Sequence, residues 1–199
     1  MKTLFDHAKM PEMSSENRIH SHSARRWLRE QEIGALVASA RKSIGALQRG
    51  WLAGIVDGEG TIIIYPPTKR KGNGYSRGWQ VQLSIANTDE SVILRVCELS
   101  EKMTGTQGNC HWRKGTNRPM CHWVVTSRAA LIILRVIEPA MVGKRARAKL
   151  AIAMQERMTR GYGRRSEGAR MAENEHEERR KLMGAFHREA VAKGQRREL

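Results

Sequence analysis

The order in which helical and strand-like patterns follow one another is the feature that most constrains the fold of this chain. Residues 51–56 form an apolar segment typical of a helix that ends near Gly58, and residues 61–65 form a β-rich segment that stops at two prolines. Over residues 79–86 apolar and polar side chains alternate, which predicts a half-buried strand. The pattern therefore predicts a helix and a hairpin whose long, glycine-rich loop spans residues 69–78.

The same succession repeats further along the chain. A capping sequence precedes a helix predicted over residues 89–103. Two Cys-His-Trp segments, 110–112 and 121–123, then flank a turn and predict a second hairpin in which His111 lies opposite His122. Since side chains alternate along a strand, the Cys and Trp residues of this hairpin should face the core and the histidines should face outward.

Further helical patterns follow this hairpin and flank the central region. Two helices are predicted after the second hairpin, one helix before residue 49 and one near the end of the chain, which gives an α+β fold with an antiparallel sheet. The helices are predicted over 25–48, 127–137, 142–158 and 171–192. We divide the chain into an N-terminal arm (1–24) with its helix up to 48, a central domain over 49–158, and a charged, helical extension over 159–199.

The charge balance indicates the kind of partner. The sequence has 36 Lys and Arg residues against 20 Asp and Glu residues, a formal net charge of +16, and the basic excess is spread along the chain. Such a field favours a polyanion, nucleic acid before an anionic membrane surface. The longest apolar runs are far shorter than the ~20 residues of a membrane span, so we expect no membrane partner.

The number of cysteines and the ratio of Arg to Lys indicate the cellular location. Three sparse cysteines argue against a disulfide framework and for a reducing compartment, and no secretory signal is visible. The excess of Arg over Lys favours a bacterial or phage-infected cell, in its cytoplasm or nucleoid, with an organelle as the alternative. The repeated Cys-His pairs also suggest zinc. However, each strand face would offer two ligands where structural zinc takes four, so core cysteines are the simpler interpretation.

Acidic residues are missing from both hairpins. No Asp or Glu occurs over residues 60–88 or over residues 102–137. The loop tips of both hairpins carry basic residues instead. A sheet face without carboxylates suits contact with base edges and phosphates. Outward positions expected to read bases are Thr61, Ile63, Tyr65, Gln80, Gln82, Ser84, His111, Arg113 and His122, with Arg118 near a tip. Positions expected to contact phosphates are Lys69, Arg70, Lys71, Arg77 and Lys114.

Two glycines and an acid in the first helix have a spacing with chemical meaning. Gly54 and Gly58 are four residues apart, so they lie on one helix face and allow a second helix to approach closely. A second copy of the helix would bring two Glu59 carboxylates together at the negative ends of two helix dipoles. A divalent cation with oxygen ligands, such as Mg²⁺, would resolve that repulsion.

The segment Leu52-Ala53-Gly54-Ile55-Val56-Asp57-Gly58-Glu59-Gly60 resembles the signature of the LAGLIDADG homing endonucleases. It differs in having Val at the fifth place, Gly at the seventh and Glu at the eighth. The resemblance covers residues 50–158 and implies the αββαββα fold of that family with a DNA-facing antiparallel sheet, plus N- and C-terminal helical extensions. Only one motif is present, which in this family implies a homodimer.

The resemblance also implies the roles of individual residues. Glu59 and the carbonyl of Gly58 would hold Mg²⁺, with Mn²⁺ as a substitute. Asn87, at the end of the second long strand, and Lys144, in preference to the neighbouring Arg145 and Arg147, would complete the catalytic set with Glu59. The dimer interface would comprise Leu52, Gly54, Ile55 and Gly58.

The implied function is a site-specific double-strand break, made by a homodimer in a long pseudo-palindromic DNA site through metal-dependent phosphodiester hydrolysis. An RNA maturase that binds intron RNA, or a non-cleaving DNA-binding regulator, is the alternative within the same fold. A basic structural protein with no active site is a third class, but it would not explain the arrangement of Gly54, Gly58 and Glu59.

Overall fold

The computed structural model of the chain describes residues 30–66, 68–70, 74–77, 79–113, 119–160 and 173–195. The arm predicted over 1–24 and the first residues of the helix predicted over 25–48 lie outside this part of the chain.

The helix predicted over 25–48 is in fact interrupted. Helix α1 covers residues 30–43, and helix α2 (Ala46–Gly58) begins after a break at Gly45, whose backbone is extended with φ −70° and ψ 166°. The Arg49 guanidinium donates hydrogen bonds of 2.8 and 2.9 Å to carbonyl oxygens at the end of α1, which satisfies groups that a helix end leaves open. The motif helix is therefore longer than the sequence pattern predicted, and it starts before residue 51.

The described residues form six strands: β1 (Gly60–Tyr65), β2 (Thr68–Arg70), β3 (Gly74–Arg77), β4 (Gln80–Asn87), β5 (Asn109–Arg113) and β6 (Met120–Thr126). Four of them form the main antiparallel sheet, in the order β1-β4-β6-β5. The two short strands, β2 and β3, pair with each other where the sequence predicted only a loop over 69–78, so that prediction was wrong.

The helices cover one face of this sheet. Apart from the short strands β2 and β3, the element order from α2 to the helix that follows β6 is the predicted αββαββα succession, so the α+β fold is confirmed. Within the described residues, none of the helices has the length and apolar composition that a membrane crossing requires. The remaining helices are α3 (Glu90–Thr104), α4 (Ser127–Ile137), a 3₁₀ turn (Glu138–Ala140), α5 (Arg145–Arg160) and α6 (Glu173–Gln195), the last packed on α5.

The core lies between the inner sheet face and the helices. The alternation along β4 and β6 places Val81, Leu83, Trp123 and their same-face neighbours against α4, in which seven of the eleven residues are buried. The predicted pairing of His111 with His122 is confirmed.

One part of the predicted core is exposed instead. Trp112 and Cys110 point to the inner face of β5, as expected, but Trp112 keeps 53% of its surface exposed. The helix layer packs mainly on the other three strands, so the side chains of β5, one of the two edge strands, are covered only in part. The alternation predicted the face correctly, whereas the burial of these two residues was predicted wrongly.

Candidate active site and nucleic-acid interface

A tight connection between α2 and β1 presents Glu59. Helix α2 ends at Gly58 and β1 begins at Gly60, so Glu59 alone joins them, and its backbone N–H donates to the Ile55 carbonyl at 2.8 Å. A Cβ on Gly60 would lie 2.6 Å from the Val56 carbonyl oxygen, so only glycine fits this turn. Glu59 is exposed, and its carboxylate has no hydrogen bond or ion pair within the described residues. The tight turn therefore presents an unpaired carboxylate at the end of the sheet.

The other acid of the motif, Asp57, is fully engaged. Its carboxylate accepts hydrogen bonds from the backbone N–H groups of Val142 (2.6 Å), Gly143 (3.1 Å) and Lys144 (2.7 Å). Partial burial acts to raise the pKa of Asp57, but these three donors and the nearby Lys144 ammonium outweigh it, so the pKa lies below its usual value. Asp57 thus ties the end of α2 to the segment that precedes α5, which explains why α5 begins at Arg145 and not at 142.

Lys144 lies at the same corner. Its ammonium donates to the carbonyl oxygens of Val56 (3.0 Å), Gly58 (3.3 Å) and Gly60 (2.7 Å), which are the last carbonyls of α2 and the first of β1. A cation here also complements the negative end of the α2 dipole. Lys144 therefore lies beside Glu59, next to the carbonyl of Gly58 that the sequence predicted as a metal ligand.

The two neighbouring basic residues have different partners. The Arg145 guanidinium donates to the Glu138 carboxylate at 2.8 Å. The Arg147 guanidinium lies 4.2 Å from the ring centre of Phe186 in α6, a cation–π contact. Of the three basic candidates at the start of α5, only Lys144 contacts the end of the motif helix.

Asn87 lies at the same end of the sheet, because the antiparallel register pairs Gly60 of β1 with Ile85 of β4. Its side-chain oxygen accepts a 2.8 Å hydrogen bond from the backbone N–H of Asp89, which stabilises the turn into α3. Asn87 therefore has a turn-forming role in this structure, and its amide nitrogen remains for any catalytic role.

The outward face of α2 is open and apolar. Gly50, Gly54 and Gly58 have no atom within 4 Å of the position that a Cβ would take. Leu47 and Trp51 continue this face and are 88% and 36% exposed. We call these five residues the α2 open face. Sequence reasoning missed Leu47 and Gly50 because it began the helix at residue 51. It did not assign Trp51 to the interface either, although Trp51 and Gly50 lie three and four residues before Gly54 and so share its face.

Leu52 and Ile55 do not belong to the α2 open face. Leu52, which was predicted at a dimer interface, is 1% exposed and packs in the core of its own chain, so that prediction is corrected. Ile55 is half-buried and packs against the same core. Leu52 lies about 200° around the helix from Gly54, since successive residues are about 100° apart.

The outer sheet face, opposite the helices, carries polar rows across the strands. Ile63, Gln82 and Thr126 form one row, and Ala86, His122 and His111 form another. Every side chain in these two rows is at least partly exposed to solvent. The same is true of the other positions predicted to read bases, Thr61, Tyr65 and Gln80.

Ser84 is the exception on this face. It is only 3% exposed, and its hydroxyl donates to the Thr61 carbonyl at 3.5 Å. Because β4 is an inner strand and Ser84 is small, Thr61 and Val124 on either side cover it. The predicted direct contact of Ser84 with DNA therefore has no accessible surface in this structure.

The basic residues of the two hairpins comprise the predicted phosphate contacts Lys69, Arg70, Lys71, Arg77 and Lys114 and the predicted base contacts Arg113 and Arg118. Lys69, Arg70, Arg77 and Arg113 belong to β2, β3 and β5 by their backbone, and Lys71, Lys114 and Arg118 lie outside the described residues.

Sequence reasoning also missed a contact between cysteines. The Cys97 sulfur of α3 lies 3.3 Å from the Cys110 sulfur of β5, and burial and this neighbour raise the pKa of the Cys110 thiol to about 11. Within the described part of the chain, no group of three or more His, Cys, Asp or Glu residues is arranged to hold a metal ion.

Comparison with solved structures identifies the fold. The archaeal intron-encoded homing endonuclease I-Vdi141I, complexed with DNA, superposes with a TM-score of 0.55 at 16% identity, over 72% of this chain and 84% of that chain. The homing endonuclease I-CvuI, in complex with the I-CreI target, gives a TM-score of 0.44 at 23% identity, over 57% and 68% of the two chains. I-SmaMI, bound to uncleaved DNA with calcium ions, gives 0.47 at 16% identity, over 69% and 44%.

The similarity to I-Vdi141I defines a class by fold. The chain is an α+β protein in which the main sheet is covered by helices on one face, and it has the fold of the LAGLIDADG homing endonucleases. No family model matches the sequence, and no curated protein is significantly similar to it.

Proposed function

We propose that this protein is a homing endonuclease that makes a site-specific double-strand break in DNA by metal-dependent hydrolysis of phosphodiester bonds. The observation that carries the proposal is the exposed, unpaired Glu59 carboxylate at the corner where the α2 open face meets the polar outer sheet face. The fold shared with I-Vdi141I, a homing endonuclease complexed with DNA, supports the same function.

Two features support double-stranded DNA as the substrate. The outer sheet face presents amides and imidazoles in rows, and both hairpins lack acidic residues. Gln side chains suit adenine edges in the major groove, and the basic residues of the hairpins suit phosphates. We assign base contacts to Thr61, Ile63, Tyr65, Gln80, Gln82, His111, Arg113, Arg118 and His122, and phosphate contacts to Lys69, Arg70, Lys71, Arg77 and Lys114.

The α2 open face supports a homodimer. A monomer has no need for an exposed helix face made of three glycines, a leucine and a tryptophan. Two copies that meet along this face by two-fold symmetry would make the same contacts on both sides. A two-fold dimer would read a pseudo-palindromic site and would carry one Glu59 from each chain.

The donor set fits a divalent cation. Glu59 and the Gly58 carbonyl offer oxygen atoms, the ligands that Mg²⁺ prefers, and Glu59 is free to bind because it has no partner of its own among the described residues. The Gly58 carbonyl accepts a 3.3 Å hydrogen bond from Lys144, but a carbonyl oxygen has a second lone pair. Among the described residues, Glu59 is the one unpaired carboxylate at this corner, and in the proposed dimer the partner copy would supply a second.

The protein groups around this site have distinct tasks. When bound, Mg²⁺ or Mn²⁺ would polarise a phosphoryl oxygen and lower the pKa of a water molecule. Lys144 would add a positive charge near the phosphate, and the amide nitrogen of Asn87 would donate to the phosphate or to water, since its oxygen is used in the turn. The sheet would hold the duplex so that the phosphate lies at Glu59.

A cleavage assay with a matched variant tests this function. The substrate is a plasmid that carries the uninterrupted insertion site, in which the two sequences that flank the gene are joined directly. It is incubated with Mg²⁺ or with EDTA. Wild-type protein should linearise the plasmid only with Mg²⁺, and Glu59→Gln should lose cleavage while it keeps duplex binding. Glu98→Gln, which changes an exposed glutamate of α3, should cut like wild type.

Each other outcome contradicts the proposal in a specific way. Cleavage by Glu59→Gln would exclude the assignment of the metal ligand. An intact plasmid together with tight, salt-sensitive duplex binding would indicate a DNA-binding regulator. An intact plasmid together with preferential binding of intron RNA would indicate a maturase.

A further inference from the structure

The two acids of the motif, Asp57 and Glu59, lie two residues apart and have opposite surroundings. Glu59 has no partner within the described residues, whereas the Asp57 carboxylate accepts three backbone hydrogen bonds from residues 142–144. A carboxylate with both oxygens engaged in this way is poorly placed to bind a cation or substrate. Asp57 must therefore contribute in some other way to a site that lies one helical turn or less from it.

Asp57 and Lys144 connect the same two elements in opposite directions. The Asp57 side chain, from α2, binds the backbone that leads into α5. The Lys144 side chain, from the start of α5, binds three carbonyls at the end of α2 and the start of β1. The anion thus lies at the positive end of α5, and the cation lies at the negative end of α2, so both helix dipoles favour the arrangement.

The backbone bonds of Asp57 determine where the Lys144 side chain begins. Lysine has a long and flexible side chain, and ordering its ammonium at one place costs conformational entropy. The two shortest hydrogen bonds that Asp57 accepts come from the backbone N–H groups of Val142 and of Lys144 itself. Asp57 therefore fixes the Lys144 backbone directly. Without them, residues 142–144 would lose these three backbone hydrogen bonds between the 3₁₀ turn and α5.

We propose that Asp57 is a positioning residue: it holds Lys144 so that the ammonium lies against the carbonyls of Gly58 and Gly60, at a fixed place beside Glu59. This inference rests on the proposed function, because it takes Glu59 as the centre of the active site. Asp57 acts through Lys144 and does not touch the substrate. The two acids of one motif therefore divide the work, one for binding the cation and one for placing the lysine.

A double-mutant cycle tests this coupling. We would compare wild type, Asp57→Asn, Lys144→Met and the double variant, each by single-turnover cleavage and by duplex affinity in EDTA. Asp57→Asn should slow cleavage by about a hundredfold, as expected when a catalytic group is misplaced, while the duplex dissociation constant stays within about threefold of wild type. The double variant should be no slower than Lys144→Met, because Asp57 has nothing to position once the ammonium is gone.

A matched control separates positioning from general stability. Glu156→Gln also replaces a carboxylate by an amide, and it removes the hydrogen-bond partner of Arg135. Glu156 lies on α5, twelve residues or about 18 Å along the helix from Lys144. This variant should cut at the wild-type rate. If Asp57→Asn fails to fold, Asp57→Ser takes its place in the cycle. Serine keeps a side-chain oxygen that can accept a hydrogen bond from a backbone N–H.

The results distinguish failure of this inference from failure of the proposed function. If wild type cuts and Asp57→Asn cuts equally fast, or if the two single effects multiply in the double variant, Asp57 does not act through Lys144. If wild type does not cut, hydrogen exchange by NMR decides instead. Asp57→Asn should then speed the exchange of the amides of 142–144 and of the Lys144 ammonium, and unchanged exchange would overturn the positioning role.

Discussion

Helix α2 has two faces that meet different requirements. The inward face carries Leu52, Ala53 and Val56, which are fully buried against the sheet and α4. The outward face carries Leu47, Trp51 and three glycines, and no described part of the chain covers it. One helix therefore supports folding with one side and leaves the other side available for a second molecule, so mutations on the two sides should have separable effects.

The glycines of the motif differ in the same way. A Cβ on Gly54 or Gly58 would meet nothing within 4 Å, whereas a Cβ on Gly60 would overlap the backbone of Val56. The first two glycines leave room outside the chain, and the third permits a tight turn within it. The same residue type thus leaves open space on the helix surface at two positions and permits a tight turn at one.

Shortening the inward face should have the largest effect on stability. Leu52→Ala should lower the free energy of unfolding by about 3 kcal/mol, because it removes buried methyl groups and leaves a cavity. Chemical denaturation measures this change. Leu47→Ala deletes the same atoms from the exposed face and should cost less than about 0.5 kcal/mol in the monomer. Equal costs for the two variants would mean that the faces are not distinct.

Filling the tight turn should have the next largest effect. Gly60→Ala should cost about 2 kcal/mol of unfolding free energy, because its Cβ would lie 2.6 Å from the Val56 carbonyl and 2.7 Å from the Val56 Cα, both in the helix backbone. Thermal unfolding of Gly60→Ala and of Gly58→Ala, where the space is open, measures the difference. A smaller loss for Gly60→Ala than for Gly58→Ala would contradict the tight connection between α2 and β1.

Periodicity predicted the elements of the fold, because each was determined by local patterns. The alternation along β4, the facing Cys-His-Trp segments of β5 and β6, and the apolar run of α4 each gave the correct element and, for the second hairpin, the correct register. The break at Gly45 was missed because helical spacing continues on both sides of it. Local pattern contains no information about the contact that Arg49 makes with the end of α1.

The site was predictable to the extent that it lies within the motif. Glu59 and the glycines could be identified from residues 52–60 alone, whereas the role of Asp57 depends on partners about 85 residues away. Alternation gives the face of a strand residue but not whether neighbours cover it, which explains the errors at Ser84 and Trp112. The error at Leu52 was avoidable, because its helical phase is opposite to that of Gly54.

Changing the outward face should have the smallest effect on the stability of the single chain and a clear effect on assembly. In the isolated chain Gly54→Arg should raise the unfolding free energy by up to about 1 kcal/mol, because Arg is a better helix former than Gly and the space is open. In a dimer it would bring two large cations into the contact, and the dissociation constant should rise at least about thirtyfold, as for other central interface residues. Sedimentation equilibrium measures that constant.

Gly34→Arg is the matched control for this last prediction. Gly34 is also an exposed helical glycine with open space around it, but it lies in α1 beside α4 and α5 and not on the α2 open face. It should gain the same helix propensity and the same charge without weakening the dimer. If both substitutions weaken association equally, charge repulsion rather than contact along α2 explains the effect. If Gly54→Arg leaves association intact, the two chains meet elsewhere, and the glycines of α2 need another explanation.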